Sequence, residues 1–193
     1  HGGGPVGEEI DEALRDVDSH IADLLAGLER LGQPANLVLV SDHGMAPTGS
    51  NKMIVLDEIV DASLYRAVES GAYATFEATE GNTASLEAAL LRDHAHMECC
   101  IPPYFCLPDT GWTITARASD ATWSGGNHGY DPFSAEMAAL FIAHGPAFRR
   151  GVTIETFQNT AITPLLRHLI GLPQAARSDG DLTDVEDALA AQN

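Results

Sequence analysis

The sequence predicts an α/β fold, because helical patterns alternate with short, continuously apolar runs that are typical of buried strands. A helical pattern over residues 8–31 precedes the apolar run Asn36–Val40. A second apolar run, Ala138–Ala143, precedes a helical pattern over Thr160–Ile170. Strands that are apolar on both faces are usually covered by helices on both sides of a sheet. We therefore expect a central sheet flanked by helices on both faces.

The first helix has the clearest pattern in the chain. Pro5 and the acidic residues Glu8 and Glu9 favour its positive amino end, and Gly32 and Pro34 favour its termination. Its apolar residues recur at steps of three and four, which predicts one apolar face: Ile10, Leu14, Val17, Ile21, Leu24, Leu28 and Leu31.

The middle of the chain has weaker patterns, and we interpret residues 57–120 as a less regular α+β insert region. A helix is predicted over Leu86–His94. Three strands are predicted in or next to this region: Met53–Leu56, Tyr73–Phe76 and Trp112–Ala116. The acidic segment from Ser178 onward is predicted to be a solvated last segment.

Composition limits the classes of function. The 193 residues are 45% hydrophobic, which suits one globular domain. Ten Lys and Arg against 28 Asp and Glu give a formal charge of −18, which argues against polymeric nucleic acid as a partner. The longest apolar run, Met137–Ala143, is too short for a transmembrane segment. Three cysteines, Cys99, Cys100 and Cys106, leave the disulfide pairing and the compartment open.

Two loops carry residues that suggest chemistry. Asp42 and His43 follow the apolar run that ends at Val40, and ligands bind at the carboxyl edge of strands in open α/β sheets. Gly44 lets the backbone bend there, so both side chains can face one cation. A capping aspartate and a surface histidine are the alternative for this pair. His128 lies in the glycine-rich segment 125–132, where a plain turn with a solvated histidine is the alternative.

His1 is a third candidate, because it precedes Gly2-Gly3-Gly4-Pro5 and the long helix. A terminal histidine beside glycines is also typical of an appended, non-native segment. The chain has no initiator methionine and no signal-peptide pattern at its start, so we expect its true amino terminus to lie upstream.

Taken in order, these groups resemble a known family. The sequence His1-x-x-Gly4-Pro5 before a helix, Ser41-Asp42-His43-Gly44-Met45 after a strand, and then His128-Gly129-Tyr130-Asp131 resemble the type I phosphodiesterase / nucleotide pyrophosphatase family of the alkaline phosphatase superfamily. The resemblance extends to about Leu172. It implies an alkaline-phosphatase-like fold, of which this chain would be the carboxyl-terminal part of the catalytic domain, with a partial central sheet.

The resemblance also implies a two-zinc site. His1 and His128 would share one zinc ion with an aspartate, while Asp42 and His43 would hold the other with a second aspartate. Imidazole and carboxylate are the usual non-sulfur zinc ligands. Such a site hydrolyses phosphodiester or pyrophosphate bonds through a phosphothreonine intermediate. The threonine and the two further aspartates would lie upstream of His1, so we assign no catalytic residue and expect this chain alone to be inactive.

Two alternatives stay open, and two others are disfavoured by the sequence. A non-catalytic metal-binding or assembly module on the same scaffold would keep the ligands without turnover. A phosphonate or phosphomonoester hydrolase of the same superfamily would differ only in substrate. An α/β-hydrolase fails because no Gly-x-Ser-x-Gly occurs in the chain. A separate zinc site at His94, His96, Cys99 and Cys100 lacks the usual ligand spacing.

The remaining expectations concern partners and location. We expect a small phosphate ester or a nucleotide as substrate. Trp112 is expected in the core, Trp123 and Tyr130 at the rim of the site, and Asp131 as an acceptor that orients His128 or its neighbours. Unpaired strand edges predict self-association of the isolated chain. The family resemblance suggests an extracytoplasmic location.

Overall fold

The computed structural model describes residues 2–101 and 104–191. The chain divides into two compact units. The first unit is built from residues up to Asp18 together with Ser41–Leu140. The second is built from Ser19–Val40 together with the residues from Phe141 onward.

Three α-helices and ten strands lie in the described residues. The helices are α1 (Glu8–Arg30), α2 (Thr83–Leu90) and α3 (Ile162–Leu169). The strands are β1 (Leu37–Val40), β2 (Ala46–Gly49), β3 (Met53–Val55), β4 (Tyr65–Glu69), β5 (Ala74–Ala78), β6 (Met97–Ile101), β7 (Phe105–Pro108), β8 (Thr113–Thr115), β9 (Ser124–Asn127) and β10 (Phe141–His144).

Helix α1 confirms the pattern of apolar residues seen in the sequence, with acidic residues in its first turn. None of its 23 residues is buried, however, and Leu14, Val17 and Leu24 are all at least half exposed. The described residues therefore cover the apolar face of α1 only in part.

The first unit contains three sheets. Strands β4, β5, β7 and β6 form an antiparallel four-stranded sheet in that order, β3 pairs with β8 in parallel, and β2 pairs with β9 in antiparallel fashion. A core cluster lies against the four-stranded sheet, and Leu56, Leu86 and Ile114 are at most 1% exposed there. Trp112 packs against this cluster, as expected from the sequence.

Within the region 57–120 the strand predictions hold with small shifts, but the helix prediction is too long. Helix α2 ends at Leu90, and the His94 imidazole nitrogen Nε2 lies 2.7 Å from the Ala89 carbonyl oxygen just beyond its end. His96 has a φ of 63°, which a right-handed helix does not accommodate. His94 and His96 therefore lie outside the helix, and the His96 ring stacks on Trp112 with 3.6 Å between centroids.

The second unit contains the antiparallel pair β1–β10, in which Leu39 lies opposite Ile142. The prediction that both strands are buried on both faces is wrong: Val40 is 47% and Ile142 51% exposed. Strand β10 also begins later than predicted: it starts at Phe141, and residues Ala138–Leu140 precede it. Continuous apolar character predicts a strand but does not guarantee that both its faces are covered.

The acidic tail is not a solvated segment, which corrects another expectation. Residues Leu182–Ala188 form a 3-10 helix whose N-cap, the Asp181 side chain, accepts a hydrogen bond from the Thr183 backbone N–H at 3.0 Å. Val185 is fully buried with Leu165 and Phe148 in the core of the second unit. Apolar residues between the acidic ones anchor this tail.

Candidate functional site

The segment Ser41–Met45 lies in the first unit, with a bend at Asp42, directly before β2. The Gly44 N–H donates to the Met137 carbonyl at 3.0 Å. A methyl group on Gly44 would overlap the Glu136 carbonyl oxygen, and it would lie 2.8 Å from the Ala138 carbonyl oxygen. Glycine is therefore required at position 44 by the close approach of two backbone segments.

Pairing of β2 with β9 brings the two predicted loops together. Ala46, which follows Met45, lies opposite Asn127, which precedes His128. His43 thus lies just before β2 and His128 just after β9, at the same end of this strand pair. Their rings stack with 3.7 Å between centroids and 18° between planes. The structure therefore brings His43 and His128 into direct contact across 85 residues of sequence.

Hydrogen bonding orients the His43 ring. Its Nδ1 lies 2.7 Å from the Gly44 carbonyl oxygen, to which it donates in the Nδ1–H tautomer. The lone pair of Nε2 is then available, and Nε2 lies 3.5 Å from Asp42 Oδ2. A hydrogen bond from one ring nitrogen to a backbone carbonyl is a common way to present the other nitrogen to a metal.

This geometry fits a zinc ion bound by both residues. Two nitrogen and oxygen ligands of one tetrahedral zinc ion lie about 3.4 Å apart, given bond lengths near 2 Å. The 3.5 Å between His43 Nε2 and Asp42 Oδ2 is close to that value. The Asp42 side chain is 86% exposed, so it can reach a metal ion without rearrangement of the core.

Two ligands do not complete a zinc site. Within residues 2–101 and 104–191, no three His, Cys, Asp or Glu side chains are grouped closely enough to hold a metal ion. A zinc ion at Asp42 and His43 would therefore need at least one further donor from outside these described residues. His1, the fourth predicted ligand, lies outside the described residues.

The glycines after His1 lie against the strand that leads to His128. A Cβ added at Gly126 would lie 3.3 Å from Gly4 Cα and 2.7 Å from Met45 Cγ. A Cβ on Gly4, whose φ is +72°, would lie 3.3 Å from the Gly125 carbonyl oxygen. Three glycines thus let the two backbones approach closely, a role that the motif comparison alone did not reveal.

Three predictions for residues near His128 have different outcomes. Tyr130 is only 4% exposed, so it lies in the interior and not at the rim. Trp123 is 38% exposed, which leaves it accessible. Asp131 accepts a hydrogen bond from the Phe133 backbone N–H at 3.0 Å within its own turn. Asn127, which the sequence reasoning missed, accepts a hydrogen bond from the His128 backbone N–H at 3.0 Å.

The three cysteines lie in β6 and β7 of the first unit. Cys100 and Cys106 lie opposite each other and form a disulfide. Cys99 has no disulfide partner among the described residues. The pairing that the sequence left open is thus resolved, and Cys100 is not available for a separate zinc site.

Comparison with known proteins places the chain in a family. A family model described as type I phosphodiesterase / nucleotide pyrophosphatase matches residues 1–100. The human ectonucleotide pyrophosphatase/phosphodiesterase family member 5 is 30% identical over 96% of this chain and 42% of its own length. A mouse bis(5'-adenosyl)-triphosphatase is 31% identical over 86% of this chain and 40% of its own length.

A solved structure shows the same fold. The murine ectonucleotide pyrophosphatase/phosphodiesterase 5, as an inactive variant in complex with AMP, superposes with a TM-score of 0.85. The match has 32% identity and covers 98% of this chain and 55% of that chain. The protein has the α/β fold of the alkaline phosphatase superfamily, as the sequence predicts. It belongs to the type I phosphodiesterase / nucleotide pyrophosphatase family. The chain spans only about half the length of these relatives: 42% of the human protein and 55% of the chain in the murine structure.

Proposed function

We propose that this chain is the carboxyl-terminal part of a two-zinc phosphodiesterase or nucleotide pyrophosphatase that hydrolyses phosphodiester or pyrophosphate bonds. The observation that carries this proposal is the spacing of His43 Nε2 and Asp42 Oδ2, together with the contact between His43 and His128. Family membership supports the class of reaction.

Each residue has a defined role in this proposal. Asp42 and His43 hold one zinc ion, while His1 and His128 hold the other. Bound zinc ions offset charge on the phosphoryl oxygens and lower the pKa of a bound hydroxyl or water. The Gly44 carbonyl keeps the proton on His43 Nδ1, so that Nε2 faces the ion. The threonine nucleophile and the remaining aspartate ligands are supplied by residues outside this chain.

The proposed substrate is a small phosphate ester or a nucleotide. The name of the mouse relative describes a bis(5'-adenosyl)-triphosphatase, and the murine structure contains AMP. The formal charge of −18 would repel a polymeric nucleic acid. Two zinc ions would change that charge only to about −14, but they would place positive charge where the phosphate binds.

Hydrolysis of bis(p-nitrophenyl) phosphate by the complete protein tests this proposal. We expect turnover that a chelator abolishes and added zinc restores, because the ions stabilise the transition state. Asp42→Asn and His43→Ala should each lower kcat/KM by at least about 100-fold, a loss of the size that follows removal of a transition-state contact. His20→Ala is the matched control, since this exposed histidine lies on α1.

Four outcomes would contradict parts of the proposal. Chelator-resistant turnover by the complete protein would exclude the zinc mechanism. Zinc-stimulated turnover by this chain alone would show that it carries its own nucleophile. Bound zinc without turnover in the complete protein would favour a non-catalytic module, whereas a strong preference for p-nitrophenyl phosphate would favour a phosphomonoester hydrolase.

We also propose an extracytoplasmic location. The disulfide between Cys100 and Cys106 supports it, because such bonds persist in oxidising compartments and are rare in the cytosol. No helix among the described residues is long and apolar enough to cross a membrane. Fractionation of cells that express the complete protein tests this location, and recovery in the cytosol with reduced cysteines would contradict it.

Self-association of the isolated chain remains a proposal. The exposed apolar side chains of α1, among them Leu14 and Leu24, support it because such a face is stabilised when a partner covers it. Light scattering over a range of concentrations tests it. A monomer at every concentration would contradict the proposal.

A further inference from the structure

Tyr73, which the proposed chemistry does not use, lies beside the loop that carries His128. A Cβ added at Gly129, the residue after His128, would lie 3.7 Å from two ring carbons of Tyr73. Ala72, the residue before Tyr73, is 5% exposed and belongs to the same buried cluster as Ala46, the first residue of β2. The chain at the start of β5 therefore packs beside both segments of the proposed site.

The Tyr73 ring lies on the outer face of the four-stranded sheet. Ala74 and Phe76 are buried in the core cluster on the inner face, and alternation of side chains places Tyr73 on the opposite face. The ring stacks on that of Phe105 in β7, with 5.4 Å between centroids and 28° between planes. Both residues are only partly buried. A pair of accessible aromatic rings thus lies next to the His128 loop.

Tyr73 takes the place that the sequence predicts for two other aromatic residues. Tyr130 is buried and presents no accessible face. Trp123 is accessible, but it precedes β9 whereas His128 follows that strand, so about 16 Å of extended chain separates the two. Tyr73 combines an accessible ring with direct proximity to the residue after His128.

The surroundings of Tyr73 favour an uncharged, planar ligand. An accessible ring stacks with another planar ring, and one such contact contributes about 2- to 10-fold in affinity. The Glu69 carboxylate next to the Tyr73 hydroxyl raises the pKa of that hydroxyl. Its negative charge disfavours a second phosphate group at this position. An aromatic group attached to the bound phosphate fits both conditions.

We propose that Tyr73, backed by Phe105, is a specificity-determining residue on which an aromatic group of the phosphate ester stacks. This inference rests on the proposed function, since it assumes that the phosphate is held at zinc beside His128. It goes further because it names the side chains that select the organic part of the substrate. That part is either the group that leaves phosphorus or the group that stays on it, and both present the same planar face.

Two ligands of the complete, zinc-loaded protein test the proposal by calorimetry. Inorganic phosphate reports the metal site alone, whereas phenyl phosphate adds one aromatic ring. Tyr73→Leu should weaken binding of phenyl phosphate about fivefold, because it removes the stacking surface. Binding of inorganic phosphate should stay within about twofold of wild type, and the zinc content should not change.

Tyr73→Phe is the matched control, because it keeps the ring and removes only the hydroxyl. It should bind both ligands within about twofold of wild type. Phe105→Leu is a second variant if Tyr73→Leu does not fold. It removes the ring that supports Tyr73 and should weaken phenyl phosphate in the same direction.

Hydrolysis of two diesters identifies the group that stacks. Bis(p-nitrophenyl) phosphate carries an aromatic group on both sides, and methyl p-nitrophenyl phosphate carries one only on the leaving side. Tyr73→Leu should lower kcat/KM for the first about fivefold, mainly through KM, since a contact remote from phosphorus binds ground state and transition state alike. An equal loss with the methyl ester assigns the leaving group to Tyr73, and no loss assigns the retained group.

The outcomes separate the two proposals. A wild-type protein that binds neither zinc nor inorganic phosphate would overturn the proposed function and this inference with it. A wild-type protein that binds both, with Tyr73→Leu and Phe105→Leu unchanged toward phenyl phosphate, would overturn the inference alone. Equal losses for phenyl phosphate and inorganic phosphate would also overturn it, because they would show that Tyr73 only supports the His128 loop. So would a Tyr73→Phe variant as weak as Tyr73→Leu.

Discussion

His43 shows how much of the site a single residue's contacts can define. The sequence identifies Asp42 and His43 as a pair on a turn after a strand, but it does not show which ring nitrogen is available. The hydrogen bond between Nδ1 and the Gly44 carbonyl determines that, and it leaves Nε2 facing Asp42. The pair of side chains was therefore visible in the sequence, whereas their orientation required the backbone geometry of the bend, and their role as zinc ligands stays a proposal.

Other residues near the site were not predictable for a physical reason. Tyr130 belongs to the motif that contains His128, so the sequence predicted it at the rim of the site. It is buried instead. Asn127 has no pattern of its own, since its role depends on a hydrogen bond to the neighbouring backbone. The close approach of Gly4 to Gly126 is likewise invisible in the sequence, because it depends on two segments more than 100 residues apart.

Gly126→Ala tests the close approach of these backbones. The added Cβ would lie 2.7 Å from Met45 Cγ and 3.3 Å from Gly4 Cα, so the Met45 side chain must move and the backbone at Gly4 must give by a few tenths of an ångström. We expect a loss of about 1–3 kcal/mol in the free energy of unfolding, as in other overpacked interiors. Zinc affinity should also fall, because Gly4 is three residues from His1. Urea denaturation and chelator competition measure the two effects.

Gly2→Ala is the control for this substitution. A Cβ at Gly2 has no neighbour within 4 Å, and Gly2 belongs to the same glycine run. Its substitution should change stability by no more than about 0.5 kcal/mol. If Gly126→Ala were equally harmless, the N-terminal segment would not pack on β9 in solution.

Strands β2 and β9 illustrate which elements the sequence does not reveal. Pro47 and Gly49 lie in one, Gly125 and Gly126 in the other, and both residue types disfavour strands. Pairing between distant segments overrides this local preference. By contrast, α1 was predicted well because its pattern repeats over 23 residues. The ladder that brings His43 to His128 is thus the least predictable element of the fold.

The acidic tail also depends on tertiary packing, and Val185→Ala tests it. Val185 is fully buried beside Leu165 and Phe148, so the truncation leaves a cavity in the second unit. We expect it to lower the free energy of unfolding by about 2 kcal/mol, as measured by urea denaturation. Val68→Ala, at a position that is 57% exposed on β4, should have almost no effect. Equal effects of the two substitutions would mean that the tail does not pack in solution.

For the molecule as a whole, the family and the fold class followed from three short motifs in the right order. Length and charge alone suggested a complete acidic domain without anionic partners. The comparisons change that interpretation, because relatives that match nearly the whole chain are about twice as long. The described residues likewise contain fewer ligands than a zinc site needs. The shorter length is what we expect if residues outside this chain complete the proposed site.

The zinc content of the complete protein, measured by mass spectrometry after removal of unbound metal, is therefore the decisive quantity. We expect about two zinc ions per chain in the wild-type protein and in the His20→Ala control, because that histidine lies on the exposed surface of α1. The double variant Asp42→Asn, His43→Ala should retain about one ion, since it loses the ligands of one site and keeps His1 and His128. A wild-type protein without zinc, or a double variant that still holds two ions, would contradict the assignment.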